Sequence, residues 1–187
     1  MPSSERILVT AFRPFQGRSC NGSATLLRWL RSSCPHGRFV SSILPVDWVQ
    51  APLQLRRLLA RHRPRLVLSL GEGPPDRVAW ECQAVNFQSG TDEVARTRTP
   101  SPIHQGAVPV LRSLLPHPPL QPSLPSTCPF VLSEDAGTFL CNRVLWEALN
   151  RTAGQACFLH LPPQGQLTDS AYTHTLGPFL LDLLKAL

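Results

Sequence analysis

The sequence is poor in lysine and has no long apolar run. Lys185 is the only lysine among 187 residues. No apolar run approaches the ~18 residues that a membrane-spanning helix needs. The apolar run at residues 7–12 is also too short for a secretion signal. The sequence therefore predicts neither a membrane protein nor a secreted one.

The cysteines lack the spacing of a metal site. None of them forms a C-x-x-C pair, and Cys157 with His160 is too small a group to build a site alone. The six cysteines are Cys20, Cys34, Cys82, Cys128, Cys141 and Cys157. We therefore expect no metal and no cofactor, and free thiols in a reducing, cytoplasmic compartment.

Acidic residues are outnumbered, and the net charge is +6. The densest group of arginines lies in residues 55–65, where Leu55, Leu58 and Leu59 define the opposite, inward face of a predicted helix. Nucleic-acid surfaces combine basic residues with exposed aromatic ones, whereas the residues between these arginines are aliphatic. The pattern favours a solvated helix face, and a nucleic-acid-binding domain is the weakest of the functional hypotheses.

Short apolar runs alternate with helix-like segments along most of the chain. The runs predicted as strands are residues 6–12, 38–46, 65–71, 128–133 and 155–163, and residues 77–87 are also predicted to be extended. Asn21 or Ser23 and then Asp47 are candidate helix N-caps. This alternation predicts an α/β protein, a single three-layer α/β/α domain over residues 1–187 around a mostly parallel mixed sheet.

One segment departs from this alternation. Residues 99–129 contain nine of the chain's 20 prolines, and proline removes backbone donors and blocks helix continuation. We expect an irregular excursion here, with a short helix at residues 107–115 as its one regular element.

Three residues with reactive side chains are predicted at strand ends or helix starts, where α/β proteins build their sites. Cys141 follows Gly137 at a predicted helix start, where the helix dipole favours a thiolate. His160 lies near a strand end and could act as a base, and Glu81 could orient its ring. From spacing alone, with each residue taken singly, a buried structural cysteine, a structural histidine and a surface carboxylate are the favoured interpretations.

Four motifs together resemble the pyroglutamyl-peptidase I family. They are the cysteine segment "SEDAGTFLCN", the glutamate segment "ECQAVN", the histidine segment "FLHLPP" and the opening strand and loop "ILVTAFRPFQGRSCNGS". The resemblance spans most of residues 6–185. The resemblance favours the vertebrate branch of the family, or a pyroglutamyl-peptidase-like paralogue.

The resemblance implies a cysteine omega-peptidase that removes N-terminal pyroglutamate from small peptides through a thioester intermediate. Cys141 would be the nucleophile, His160 the general acid and base, and Glu81 the residue that orients the imidazole. Phe12 and Phe15 match the aromatic residues of the family's pyroglutamyl pocket. The implied partners are peptides, with no metal, nucleic acid or membrane, and the oligomeric state stays open.

The opening loop departs from the family pattern at three positions. Ala11 and Gln16 replace glycines that would permit a positive φ or a close backbone approach, and Arg13 replaces a small or acidic residue. These departures leave a second hypothesis, a catalytically impaired family member that binds peptides or proteins. The direction of Arg13 discriminates between the two, because a cation inside the pocket would oppose binding of a neutral ring.

Overall fold

A computed structural model describes residues 6–34, 39–116, 124–126 and 128–187. The helices are α1 (Gly22–Ser33), α2 (Gln50–His62), α3 (Leu140–Arg151) and α4 (Asp169–Ala186). The strands are β1 (Ile7–Phe12), β2 (Phe39–Leu44), β3 (Leu66–Glu72), β4 (Val78–Glu81), β5 (Gln83–Val85), β6 (Gln88–Thr91), β7 (Thr97–Ser101), β8 (Val110–Arg112), β9 (Phe130–Ser133) and β10 (Ala156–Leu161). Arg38, at the start of the second predicted strand, lies outside the described residues.

The central sheet has six strands in the order β2-β1-β3-β10-β4-β9. The first four of these strands run parallel to one another. The last two, β4 and β9, run parallel to each other but antiparallel to β10. The predicted mostly parallel mixed sheet is therefore confirmed.

Helices cover both faces of this sheet. Along β1, Ile7 and Val9 face the core that contains α1 and α4, whereas Leu8 and Phe12 face the core that contains α2 and α3. A strand covered on both faces is mostly apolar, which explains the nearly continuous apolar run in the sequence. The three-layer prediction is confirmed as well. Within the described residues, no helix combines the length and the apolar character of a membrane span.

The expected helix at residues 107–115 is wrong. Val110–Arg112 instead form β8, which pairs antiparallel with β5. The free backbone edge of β5 supplies hydrogen bonds that a short helix beginning around Pro109 could not make in full. Of the rest of the excursion, residues 117–123 and 127 lie outside the described residues.

The two helices on the cysteine side of the sheet are joined by arginines that pair with one buried carboxylate. Arg56 of α2 donates to both oxygens of Glu147 on α3, at 2.6 and 2.9 Å, and Arg151 also contacts that carboxylate. Leu55 and Leu59 of α2 are buried, as the sequence predicts. The arginine-rich segment therefore packs its leucines inward and uses one arginine to fix α2 against α3.

Asp47 organises the chain just before α2. Its Oδ1 accepts hydrogen bonds from the backbone N–H groups of Val49 and Gln50 at 2.7 and 2.8 Å and from Arg96 at 2.8 Å. Burial alone would raise the pKa of Asp47, but these donors lower it below its usual value. The sequence-predicted capping role is thus fulfilled one turn ahead of the first helical residue.

We predict that Asp47→Ala lowers the free energy of unfolding by about 1–2 kcal/mol, because backbone donors lose their acceptor. The nearby exposed Glu93→Ala is the control and should have little effect. Because the folded-state pKa is depressed, the contribution of Asp47 is present near neutral pH and is lost as the pH falls through that pKa. Urea unfolding at neutral pH and near pH 3 gives the difference in the free energy of unfolding between Asp47→Ala and the wild type. The prediction is contradicted if this difference is the same at both pH values.

Candidate active site

Glu81 and His160 meet across two antiparallel strands. Glu81 lies opposite Phe158 in the β4–β10 register, so His160 is its diagonal neighbour on the same face of the sheet. The distance from Glu81 Oε1 to His160 Nδ1 is 2.7 Å, and both residues are buried. Glu81 therefore lies within the sheet, not beyond the carboxyl ends of the parallel strands as predicted, because β4 runs the opposite way.

Cys141 approaches the same histidine from the neighbouring layer. It is the second residue of α3, and its side chain is hydrogen-bonded to His160. Since Nδ1 faces Glu81, Nε2 is the nitrogen left for the sulfur. A Cβ at Gly71, the residue opposite His160 in β3, would stand 2.6 Å from the Phe158 ring and 3.2 Å from Cys141 Sγ. Glycine at position 71 thus leaves room for Phe158 and Cys141 to pack beside His160.

The electrostatics of the site favour a charged imidazole. Burial alone would lower the pKa of His160, but the negative charge of Cys141, its hydrogen bond and the Glu81 carboxylate raise that pKa to about 10. For three other thiols, those of Cys82, Cys128 and Cys157, burial raises the pKa and disfavours the reactive thiolate.

The turn before Cys141 explains the polar run in the cysteine segment. Ser133 Oγ accepts from the Asp135 N–H, and Asp135 Oδ1 accepts from the Gly137 N–H at 2.9 Å. Gly137 has φ +74°, a left-handed conformation that favours glycine. Asn142 then bonds the backbone of β5 and of Phe87 through three hydrogen bonds of 2.9 Å. The segment therefore builds a fixed turn that delivers Cys141 at the helix start.

A cavity of about 500 Å³ opens beside these groups. The residues lining it include all five that the sequence singles out, namely Phe12, Phe15, Glu81, Cys141 and His160. Arg13, which follows Phe12, is exposed. Among the described residues, no cluster of three His, Cys, Asp or Glu side chains has the arrangement of a metal site.

Sequence reasoning missed part of the cavity wall. Phe139 lines the cavity and packs edge-on against Trp48, with ring centroids 5.0 Å apart. The Trp48 indole donates to the backbone oxygen of Gly90 in β6, so the β6–β7 hairpin braces this wall. The only signal in the sequence was the position of Phe139 within the cysteine segment.

The loop that carries Phe15 is held at both ends by the N-x-S pair of the opening motif. Asn21 Oδ1 accepts from the Ser23 N–H, and its Nδ2 donates to the Arg13 oxygen. Within the loop, Gln16 has φ 55°, in the left-handed region. The glycine expected here on the family pattern is therefore absent from a position whose backbone favours glycine. Ala11 has no such conflict, because it lies buried in β1.

A thiol, an imidazole and a carboxylate in one hydrogen-bonded row beside a cavity form the arrangement typical of cysteine hydrolases. Comparison with known proteins specifies the family. The family model for pyroglutamyl peptidase matches residues 5–173. The chain belongs to the pyroglutamyl peptidase family.

Individual relatives agree with this assignment. A pyrrolidone-carboxylate peptidase of Chromobacterium violaceum is 31% identical over 183 residues, covering 95% of this chain and 85% of the relative. The pyrrolidone carboxyl peptidase structure from Thermococcus litoralis has a TM-score of 0.72 at 22% identity, covering 97% and 95% of the two chains. The Bacillus amyloliquefaciens pyroglutamyl peptidase I structure has a TM-score of 0.70 at 22% identity, covering 85% and 82%. At these identities the structural matches establish the α/β fold.

We predict that both neighbours of His160 sustain its raised pKa. Cys141→Ala should lower that pKa more than Glu81→Gln does, because Cys141 makes the larger of the two raising contributions. Loss of both should bring it below the ordinary value, since burial then acts alone. NMR titration of the His160 ring measures this, with the exposed His174 as the internal control. A His160 pKa that is equal in all variants would contradict the described contacts.

We also predict that Gln16→Gly raises the free energy of unfolding by about 1 kcal/mol, because glycine relieves the left-handed strain. Gly17→Ala should have the opposite effect, since Gly17 has φ 71°. Urea unfolding of the two variants tests this. A loss of stability in Gln16→Gly would show that the loop backbone differs from the one described.

Proposed function

We propose that this chain is a cysteine omega-peptidase that removes N-terminal pyroglutamate from peptides. The observation that carries the proposal is the hydrogen-bonded row of Cys141, His160 and Glu81 along one wall of the cavity. The motif order and the family membership point to the same reaction class.

In this proposal the Cys141 thiolate attacks the carbonyl carbon of the pyroglutamyl residue. The carbonyl oxygen takes up negative charge as the carbon becomes tetrahedral. The first N–H groups of α3 have no acceptor within the helix, and the positive end of the helix dipole points the same way. These groups can therefore stabilise the oxyanion next to the sulfur.

His160 supplies and removes the protons. The imidazolium gives its proton to the departing amine, and the carbon–nitrogen bond breaks to leave a thioester on Cys141. The neutral imidazole then takes a proton from water, which attacks the thioester and releases pyroglutamate. Glu81 holds the ring in one orientation throughout by its contact with Nδ1.

Phe12 and Phe15 are proposed to hold the lactam ring. The ring is small and uncharged, so an apolar slot can bind it without the desolvation cost that a charged amine would carry. The exposure of Arg13 supports this reading, because its cation does not have to occupy the slot. It therefore favours an active enzyme over the impaired, peptide-binding family member.

Three broader features are proposed from the sequence alone. The chain would form one domain over residues 1–187, act in the cytoplasm and belong to the vertebrate branch of the family. All six cysteines are free thiols, which accords with a reducing compartment.

We predict that the purified protein releases the fluorophore from an L-pyroglutamyl amide and that Cys141→Ala abolishes this turnover. Cys34→Ala is the matched control, because Cys34 lies at the end of α1 and outside the cavity, and it should retain activity. Retained turnover in Cys141→Ala would refute the assigned nucleophile. Binding of the substrate without turnover by the wild type would instead favour the impaired family member.

A further inference from the structure

A second carboxylate, Glu72, lies in the cavity wall away from the catalytic row. It ends β3, and its side chain is only 6% exposed. Its Oε1 accepts from the N–H of Gly22, the first residue of α1, at 2.7 Å and from the N–H of Gln164 at 3.2 Å. These bonds fix the carboxylate in place, and a fixed, nearly buried negative charge requires a counter-charge.

Arg18 supplies that counter-charge. Its Nη1 lies 2.6 Å from Glu72 Oε2. Its guanidinium also stacks over the Phe15 ring, 4.6 Å from the ring centroid. Phe15 and Glu72 both line the cavity. The ion pair is therefore located beside the aromatic slot that the proposed function assigns to the lactam ring.

We propose that the Arg18–Glu72 pair determines specificity by keeping this end of the pocket electrically neutral, so that it accepts an N-terminal lactam and rejects an N-terminal ammonium. The inference rests on the proposed function and names the feature that selects its substrate. A prolyl residue has the same five-membered ring as pyroglutamyl but carries a protonated amine near neutral pH. An uncompensated Glu72 would attract that ammonium, whereas the paired carboxylate offers it no net charge.

The other charged groups along the cavity have separate partners. Glu81 contacts His160, and Asp135 accepts the Gly137 N–H. Arg77 pairs with its exposed neighbour Asp76 at 3.0 Å. Among the acidic groups of the described cavity lining, Glu72 is therefore the one that Arg18 neutralises beside Phe15.

The experiment compares L-pyroglutamyl and L-prolyl amides of the same fluorophore at pH 6.5 and takes the ratio of their kcat/KM values. Arg18→Gln removes the cation, and Glu72→Gln keeps an oxygen acceptor for the two backbone donors while removing the anion. The double variant removes both charges and restores neutrality. Arg13→Gln is the matched control, because it removes an exposed arginine from the same loop.

The charge-based proposal predicts that only one of the two single variants lowers the pyroglutamyl-to-prolyl ratio. Arg18→Gln should lower the pyroglutamyl-to-prolyl ratio by about tenfold or more, because an unpaired carboxylate favours the ammonium. Glu72→Gln should leave the ratio unchanged or raise it, and the double variant should recover most of what Arg18→Gln loses. A purely structural role of the pair would make the double variant at least as impaired as either single one, and that result would overturn the proposal.

Binding measurements separate this inference from the proposed function. L-pyroglutamamide and L-prolinamide are titrated into Cys141→Ala forms of the same variants, where no turnover is needed. If the wild type does not hydrolyse the pyroglutamyl amide but Arg18→Gln still shifts binding toward prolinamide, the function fails and the pocket inference stands. If the wild type is active and the binding preference is the same in all variants, the inference fails and the function stands.

Discussion

The site depends on one feature of the sheet, the antiparallel placement of β4 beside β10. Because β4 runs opposite to β10, its last residue, Glu81, is paired with Phe158 in the middle of β10 and not with the carboxyl edge of the sheet. The antiparallel register makes Glu81 and His160 diagonal neighbours on one face, at 2.7 Å between carboxylate and imidazole. The ring is thereby oriented by the sheet itself, and α3 needs only to bring Cys141 to the remaining nitrogen.

Burial gives these contacts their strength. A buried imidazolium is unfavourable alone, but the Cys141 and Glu81 side chains on either side of His160 favour its charged form. The raised pKa of His160 expresses the net result, because the neighbouring charges outweigh the cost of burial. Such a row tolerates little displacement, which explains why Gly71, whose side chain would meet Phe158 and Cys141, has no Cβ.

Much of this arrangement could be predicted from the sequence, because the patterns that indicate it lie within short segments of the chain. Apolar runs predict the main strands, Asn21 is one of the two predicted candidates for the cap of α1, and the motifs around Glu81, Cys141 and His160 predict the site. The direction of β4 and the pairing of β8 with β5 could not be predicted, since both depend on which distant edge is free. The same holds for Phe139 against Trp48 and for Arg18 against Glu72, which are contacts between separate loops.

The two parts of the site are therefore held in different ways. The row of Glu81, His160 and Cys141 is built on β4, β10 and the start of α3, which are regular secondary structure. The proposed ring slot is built on the β1–α1 loop, which is held by Asn21, the Arg18–Glu72 pair and a left-handed Gln16. Substitutions in a loop that is held by side-chain contacts can occur without disturbing the sheet. The departures from the family pattern at Arg13 and Gln16 lie in this loop, so they leave Glu81, His160 and Cys141 in place.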